Sequence, residues 1–192
     1  NHGNRDIWLI KINSDGNILW QKCYGGTQNE EVRSAFKVSG GYMIAGMSES
    51  SDGDVTNHHG STVYYDYWVF RIAENGNVLW KKSFGGINDD FAEQMIKLSD
   101  GNFLITGSSY SKDYAVTDHH GSIQYNDQLT IKIDSNGNSL WSKSTGGYGD
   151  DWGNCAIELD SDNFIIAGAD LSKDGDHHSG CFSNDCKPLE GG

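Results

Sequence analysis

One unit of about 60 residues is written three times along this chain, and that internal repeat decides what it can fold into before any single motif does. Trp20, Trp80 and Trp141 stand 60 and 61 residues apart, and the pairs Gly25-Gly26, Gly85-Gly86 and Gly146-Gly147 keep the same intervals. Gly46, Gly107 and Gly168 follow in step. Asp6, Asp66, Asp127 and Asp185 mark the start of each copy, the last three preceded seven residues earlier by His59, His120 and His178. Residues 1–192 therefore read as a single repeat domain, with repeat 1 at about 6–60, repeat 2 at about 66–121, repeat 3 at about 127–180 and a short tail at 181–192.

Each unit offers four strands. The first is a nearly continuous apolar run, Ile7-Trp8-Leu9-Ile10 and again Tyr67-Trp68-Val69-Phe70, which suits a strand covered on both faces. It ends at Asp15-Gly16-Asn17, Asn75-Gly76-Asn77 or Asn136-Gly137-Asn138, residues that tolerate the positive φ of a tight bulged hairpin. The second strand carries the landmark Trp, so that side chain is expected in the core. The third covers Val32 to Val38, approached through Gly25-Gly26 and an acidic stretch. The fourth covers Tyr42 to Gly46, Phe103 to Gly107 and Phe164 to Gly168. A glycine at the same place in every fourth strand signals close backbone approach, as near a central axis.

No helical period runs through any long window. Four consecutive strands joined by hairpins make one twisted sheet that cannot bury both of its faces alone, so neighbouring sheets must cover it. The expected fold is all-β, a β-propeller-like array of three four-stranded antiparallel sheets; a β-trefoil-like three-fold barrel is the alternative. Three sheets are one short of the usual propeller minimum. That shortfall, and an opening without Met inside a repeat motif, point to a piece of a longer repeat protein or to a homo-oligomer.

With 27 acidic against 14 basic residues, a net charge of −13 would repel a phosphate backbone or an anionic membrane. Nucleic acid is not expected as a partner. No apolar run approaches the roughly 20 residues of a membrane span, so membrane insertion is not expected either. Four cysteines allow three full pairings. Cys181 and Cys186, five apart in a Ser-Asn-Asp turn, are the expected disulfide and favour an oxidising compartment. Cys23 and Cys155 occupy different positions of different repeats and read as small buried hydrophobes.

All seven histidines fall in copies of one loop, as His2, His58-His59, His119-His120 and His177-His178. With Asp52, Asp54, Asp66 and Asp127 they form a plausible ligand set: imidazole with carboxylate suits zinc, carboxylates with carbonyls suit calcium. No cofactor is required by the fold, and a structural calcium or zinc ion is the reading a metal would take. Asp52-Gly53-Asp54 lacks the spacing and closing Glu of an EF-hand. A feature copied into every unit is more often one the fold needs, here imidazoles satisfying the loop beside the Asp of the next strand.

The pairs Glu30-Glu31, Asp89-Asp90 and Asp150-Asp151 invite a glycosidase reading, because two carboxyl groups at about 5 to 9 Å can act as acid and as nucleophile or base. They recur in every unit too, and read first as a solvated face. No nucleophile elbow, phosphate loop or zinc-protease helix is present. Tyr64, Tyr65, Tyr125, Tyr148 and Trp152, with Tyr110 and Tyr114 nearby, lie in or beside loops, where aromatic faces flanked by Asp and Asn can stack on sugar rings.

The order Asp-x-Trp, Gly-Asn turn, Leu-Trp, Gly-Gly, Asp-Gly-x-Phe, Ile-Ala-Gly, Ser-x-Asp-Gly-Asp and His-Gly resembles the repeats of large secreted Bacteroidota proteins, from Asp6 to about Asp185. Such proteins are typically exported by the type IX system, are expected to be propellers, and sometimes carry an endoglucanase-like label. The resemblance implies an extracellular or cell-surface address and supplies no catalytic motif. The pattern breaks at Gln128-Leu129, and at Cys181 to Cys186 the strand is lost. The functional expectation is a non-catalytic extracellular repeat module whose loops serve adhesion or bind glycan or protein. Part of a secreted glycoside hydrolase acting on polysaccharide, and a metal-stabilised spacer, are the alternatives.

Overall fold

A computed structural model describes residues 2–176. Among them are twelve strands and no helix: β1 (Ile7–Ile12), β2 (Ile18–Tyr24), β3 (Glu30–Val38), β4 (Gly41–Ser48), β5 (Asp66–Ala73), β6 (Val78–Phe84), β7 (Asp90–Lys97), β8 (Phe103–Ser109), β9 (Asp127–Ile133), β10 (Ser139–Thr145), β11 (Asp151–Glu158) and β12 (Phe164–Asp170). No helix is long and apolar enough to cross a membrane.

The strands form four antiparallel sheets rather than three. Two are complete, in the orders β3-β4-β5-β6 and β7-β8-β9-β10, and two hold a pair each, β1-β2 and β11-β12. Every complete sheet therefore joins the second half of one unit to the first half of the next, and no closed barrel forms among the described residues. The physical reason lies in the connections. Residues 25–29 between β2 and β3 are held to the following loop by Thr27 N–H to Asp52 Oδ1 at 2.8 Å and Gln28 N–H to Ser50 Oγ at 2.9 Å, which carries the chain into the next sheet. The longer loop 49–65 folds back and delivers β5 alongside β4, Gly41 opposite Ala73 through Ser48 opposite Asp66.

The hairpin turns match expectation. Gly16, Gly76 and Gly137 have φ of 82°, 79° and 76°, and each β1-β2-type hairpin carries a bulge beside its turn. A second bulge falls in β3, β7 and β11, after Val32, Ala92 and Gly153. It explains the strand glycines. A methyl on Gly46, Gly107 or Gly168 would run into the carbonyl oxygen of Glu31, Phe91 or Trp152 on the adjacent strand, so the close approach is to a bulge within the sheet and not to an axis.

Sheets stack face to face in series. Between the complete sheets lie Met43, Tyr67, Val69, Met95, Phe103, Ile105, Leu129 and Ile131; β1-β2 covers Trp68, Phe70 and Ile72, and β11-β12 covers Leu98 and Leu104. β5 and β9, covered on both faces, show the continuous burial that their apolar runs require, whereas β1 alternates. Trp20 and Trp80 are half-buried clamps between sheets, not core. Trp20 donates from Nε1 to Glu74 O, in the turn of the next hairpin, at 3.0 Å; Trp80 packs over Gly137; Trp141 meets no such turn among the described residues and is exposed. Cys23 is half-buried and Cys155 exposed, contrary to the expectation of buried thiols: β11 belongs to a half-sheet, so one of its faces is uncovered. Cys181 and Cys186 lie outside the described residues.

Candidate ligand-binding cleft

The loop ends of the sheets carry two kinds of polar structure, one repeated and one not. In the repeated network one acid of each pair, Glu30, Asp90 or Asp151, is buried instead of solvated. Glu30, Asp90 and Asp151 accept the N–H of Gly26, Gly86 and Gly147 at 3.0, 2.7 and 2.9 Å. Ser48 and Ser109 donate hydroxyls to Glu30 and Asp90, and Ser111 and Ser172 to Asp90 and Asp151. These bonds replace the water the carboxyls lose, although burial still pushes Asp90 up to about 8. Burial raises Asp151 as well, helped by the hydrogen bond it shares with Asp170, which favours a proton on Asp151. Asp90 is fully buried, whereas Asp151, 3% exposed, lines the gap that also holds Trp152 and Asp170.

The histidines belong to the same network. Nδ1 of His2, His59 and His120 lies 3.0, 3.0 and 3.1 Å from Oδ2 of Asp6, Asp66 and Asp127, and that oxygen also accepts each histidine's own backbone N–H. His59 is held above its ordinary pKa by the bond to Asp66, and burial raises Asp127. His58 Nε2 meets Tyr64 O at 2.9 Å, and the ring of His119 is buried. Asp52, like Asp113 and Asp174, accepts a loop N–H, and Asp54 faces Lys81 at 3.8 Å. No group of three or more His, Cys, Asp or Glu side chains that could hold a metal ion occurs among the described residues. His177 and His178 lie outside them.

The unrepeated structure is a cleft of about 290 Å³ between the loops that lead into and out of the two complete sheets, lined by Tyr64, Asn88, Asp89, Tyr110, Ile123 and Gln124. Its walls are held by the backbone. Tyr110 N–H donates to Asp89 O at 2.9 Å, Asn88 Nδ2 to Tyr110 O at 3.3 Å, and Tyr65 N–H to Asp89 Oδ1 at 2.9 Å. Burial lifts the Asp89 carboxyl above its usual range. Behind the cleft Phe91 packs against Tyr65 at 5.7 Å and edge-on against Tyr110 at 6.5 Å, fixing the Tyr110 ring from below.

Of the aromatics expected to bind, Tyr64 alone lines the cleft, joined by Tyr110. Tyr65 supports it from behind, and burial drives its hydroxyl to about 12. Tyr125 and Tyr148 are exposed on the loops of the next unit, Tyr114 stacks on His59 at 4.5 Å, and Trp152 lines a separate gap with Gln128, Thr145 and Gly168. The corresponding positions elsewhere are only partly a copy: Tyr110 aligns with Glu49 and Leu171 and Asn88 with Gln28 and Gly149, whereas Tyr64 aligns with Asn4 in the preceding unit but with Tyr125 in the next, and Asp89 with Asp150. The departure from the repeat lies at Tyr110, a loop tyrosine where the other copies have Glu49 and Leu171, and it sets Tyr110 beside Tyr64 in this cleft. Comparison with models of known protein families returned no match, and comparison with curated proteins returned none either.

Proposed function

We propose that this chain is a non-catalytic module of a secreted or cell-surface protein, that its stacked sheets form an arc of a β-propeller, and that the cleft between Tyr64 and Tyr110 binds a neutral glycan. One observation carries the reading. The buried carboxyls, glycines and His–Asp pairs recur in each unit and answer the needs of the fold, while the aromatic pair with Asn88, Asp89 and Gln124 gathers once. Aromatic faces bordered by amide and carboxylate groups match a sugar ring, whose C–H faces stack and whose hydroxyls both donate and accept. The volume is near the lower end of ligand clefts. A chain with a charge of −13 disfavours uronic or sulfated sugars, which points to uncharged ones.

A glycan array probed with the purified chain, followed by titration calorimetry on the best neutral oligosaccharide, tests this. Tyr110→Ala and Tyr64→Ala should each weaken binding about tenfold or more, corresponding to the loss of about 1.4 kcal/mol. No bound glycan, or affinity unchanged in both variants, would refute it.

A further inference from the structure

The two half-sheets are the two missing parts of one another. In both complete sheets the pair nearest the chain start (β3-β4, β7-β8) meets the following pair (β5-β6, β9-β10) along β4-β5 and β8-β9. β11-β12 is a first pair with no second, and β1-β2 a second pair with no first. Repeat alignment then fixes the missing register. β4-β5 and β8-β9 pair Tyr42 with Ile72 and Phe103 with Ile133, ending at Ser48 with Asp66 and Ser109 with Asp127. The same register sets Phe164 opposite Ile12, Ile166 opposite Ile10, Gly168 opposite Trp8 and Asp170 opposite Asp6.

Burial shows that each half-sheet also leaves bare a face that a neighbouring sheet covers in the complete ones. Trp8, Ile10 and Ile12 are exposed where Trp68, Phe70 and Ile72 are wholly buried, and Ile165 is 48% exposed where Leu104 is 0%. Both free edges are long, regular and apolar, without the proline or bulge that protects a lone edge strand. β12 and β1 of one chain are not paired with each other. After Asp185 the sequence reads Cys186-Lys187-Pro188-Leu189 where the repeat has Ile7-Trp8-Leu9-Ile10, and proline cannot donate to a central ladder.

We infer that the occupant of each free edge is the other edge of a second copy, β12 of one chain pairing antiparallel with β1 of its partner and the reverse, so that two chains close a two-fold ring of six four-stranded sheets. Such a ring is a closed assembly with both junctions equivalent. One position is mismatched. Asp170 stands where the other copies have Ser48 and Ser109, opposite an aspartate. Like charges directly opposite across strands weaken the pairing.

Sedimentation equilibrium of the 192-residue chain over a wide concentration range should give a reversible dimer of twice 21.1 kDa. Asp170→Ser should tighten association several-fold, restoring the serine that its counterparts use. Trp8→Asp alters a side chain that is 58% exposed in the single chain, so it should abolish the dimer while leaving the circular dichroism spectrum unchanged. A mixture of Ile10→Cys chains with Ile166→Cys chains should form an interchain disulfide under mild oxidation, and Ile10→Cys with Ala169→Cys should not. A chain that stays monomeric, or a dimer indifferent to Trp8→Asp and Asp170→Ser, would overturn the inference; the first result would instead fit edges covered by further repeats of a longer chain.

Discussion

Asp90 gives a pH dependence whose sign and size follow from its surroundings. Its carboxyl is fully buried, accepts bonds from Gly86, Ser109 and Ser111, and lies near Asp66; loss of water is the largest influence and raises it from 3.8 to about 8. The folded protein thus holds a proton that the unfolded chain releases throughout the interval between those values. Stability must fall as pH rises across it, by about 1.36 kcal/mol per pH unit for this one group. Between pH 5 and pH 8 the contribution lost is on the order of 4 kcal/mol, a large share of a typical domain's total. His59, raised by its bond to Asp66, acts in the same direction, since its stabilising charge is present below about 6.5 and vanishes above its folded value. Burial raises Asp127 and Asp151 in the same sense. Urea unfolding followed by tryptophan fluorescence at pH 5, 6.5 and 8 reads the slope directly. Asp90→Asn, which mimics the protonated acid, should make the slope shallower by about one proton's worth and leave the variant at least as stable as the parent at pH 8. Stability that rises with pH over this range, or an unchanged slope in Asp90→Asn, would refute the reasoning.

Three further perturbations separate parts of the account. Trp68→Ala empties a fully buried site between β1-β2 and the first complete sheet and should cost about 3 to 5 kcal/mol in chemical denaturation. Gly107→Ala places a methyl against the Phe91 carbonyl and the Tyr67 hydroxyl, and should cost at least about 1 to 3 kcal/mol by the same assay, whereas Gly16→Ala, whose turn is open to solvent, should lose only the strain of its positive φ. Because each described histidine that pairs through Nδ1 does so with an aspartate and no three-ligand group is gathered among the described residues, the melting temperature should be the same with and without EDTA.

Strands and turns were legible because they depend on neighbours in sequence. Apolar runs, Gly-Asn turns and the strand glycines pointed to four strands per unit, the number the structure holds, although the third strands begin earlier, at Glu30, Asp90 and Asp151, than their expected approach loop allowed. Sheet membership was not legible, since the reading paired strands joined by short connections. The five residues 25–29 cross to the next sheet, while the seventeen residues 49–65 return β5 to β4, held by loop bonds such as Asp54 N–H to Gly25 O at 2.8 Å. Adjacent acids such as Asp89-Asp90 looked solvated because charge is ordinarily exposed. Only the fold shows that Gly86, Ser109 and Ser111 converge on Asp90 from three segments. The cleft was half legible. Tyr64 was picked out by its loop, but Asn88, Asp89, Ile123 and Gln124 reach it from separate segments, and nothing local to any of them marks a site.

The central claim is that ligand binding belongs to the loop cleft where Tyr110 joins Tyr64, a pairing of tyrosines that the aligned loops Asn4/Glu49 and Tyr125/Leu171 do not repeat. Amide and tyrosine-ring NMR shifts recorded while a neutral oligosaccharide is titrated into the ¹⁵N-labelled chain test it most directly. The predicted perturbations centre on Tyr64, Asn88, Asp89, Tyr110 and Gln124 and spare the aligned Asn4, Gln28, Asn29 and Glu49. Equal shifts at both sets, or shifts confined to the repeated His–Asp loops, would contradict the account.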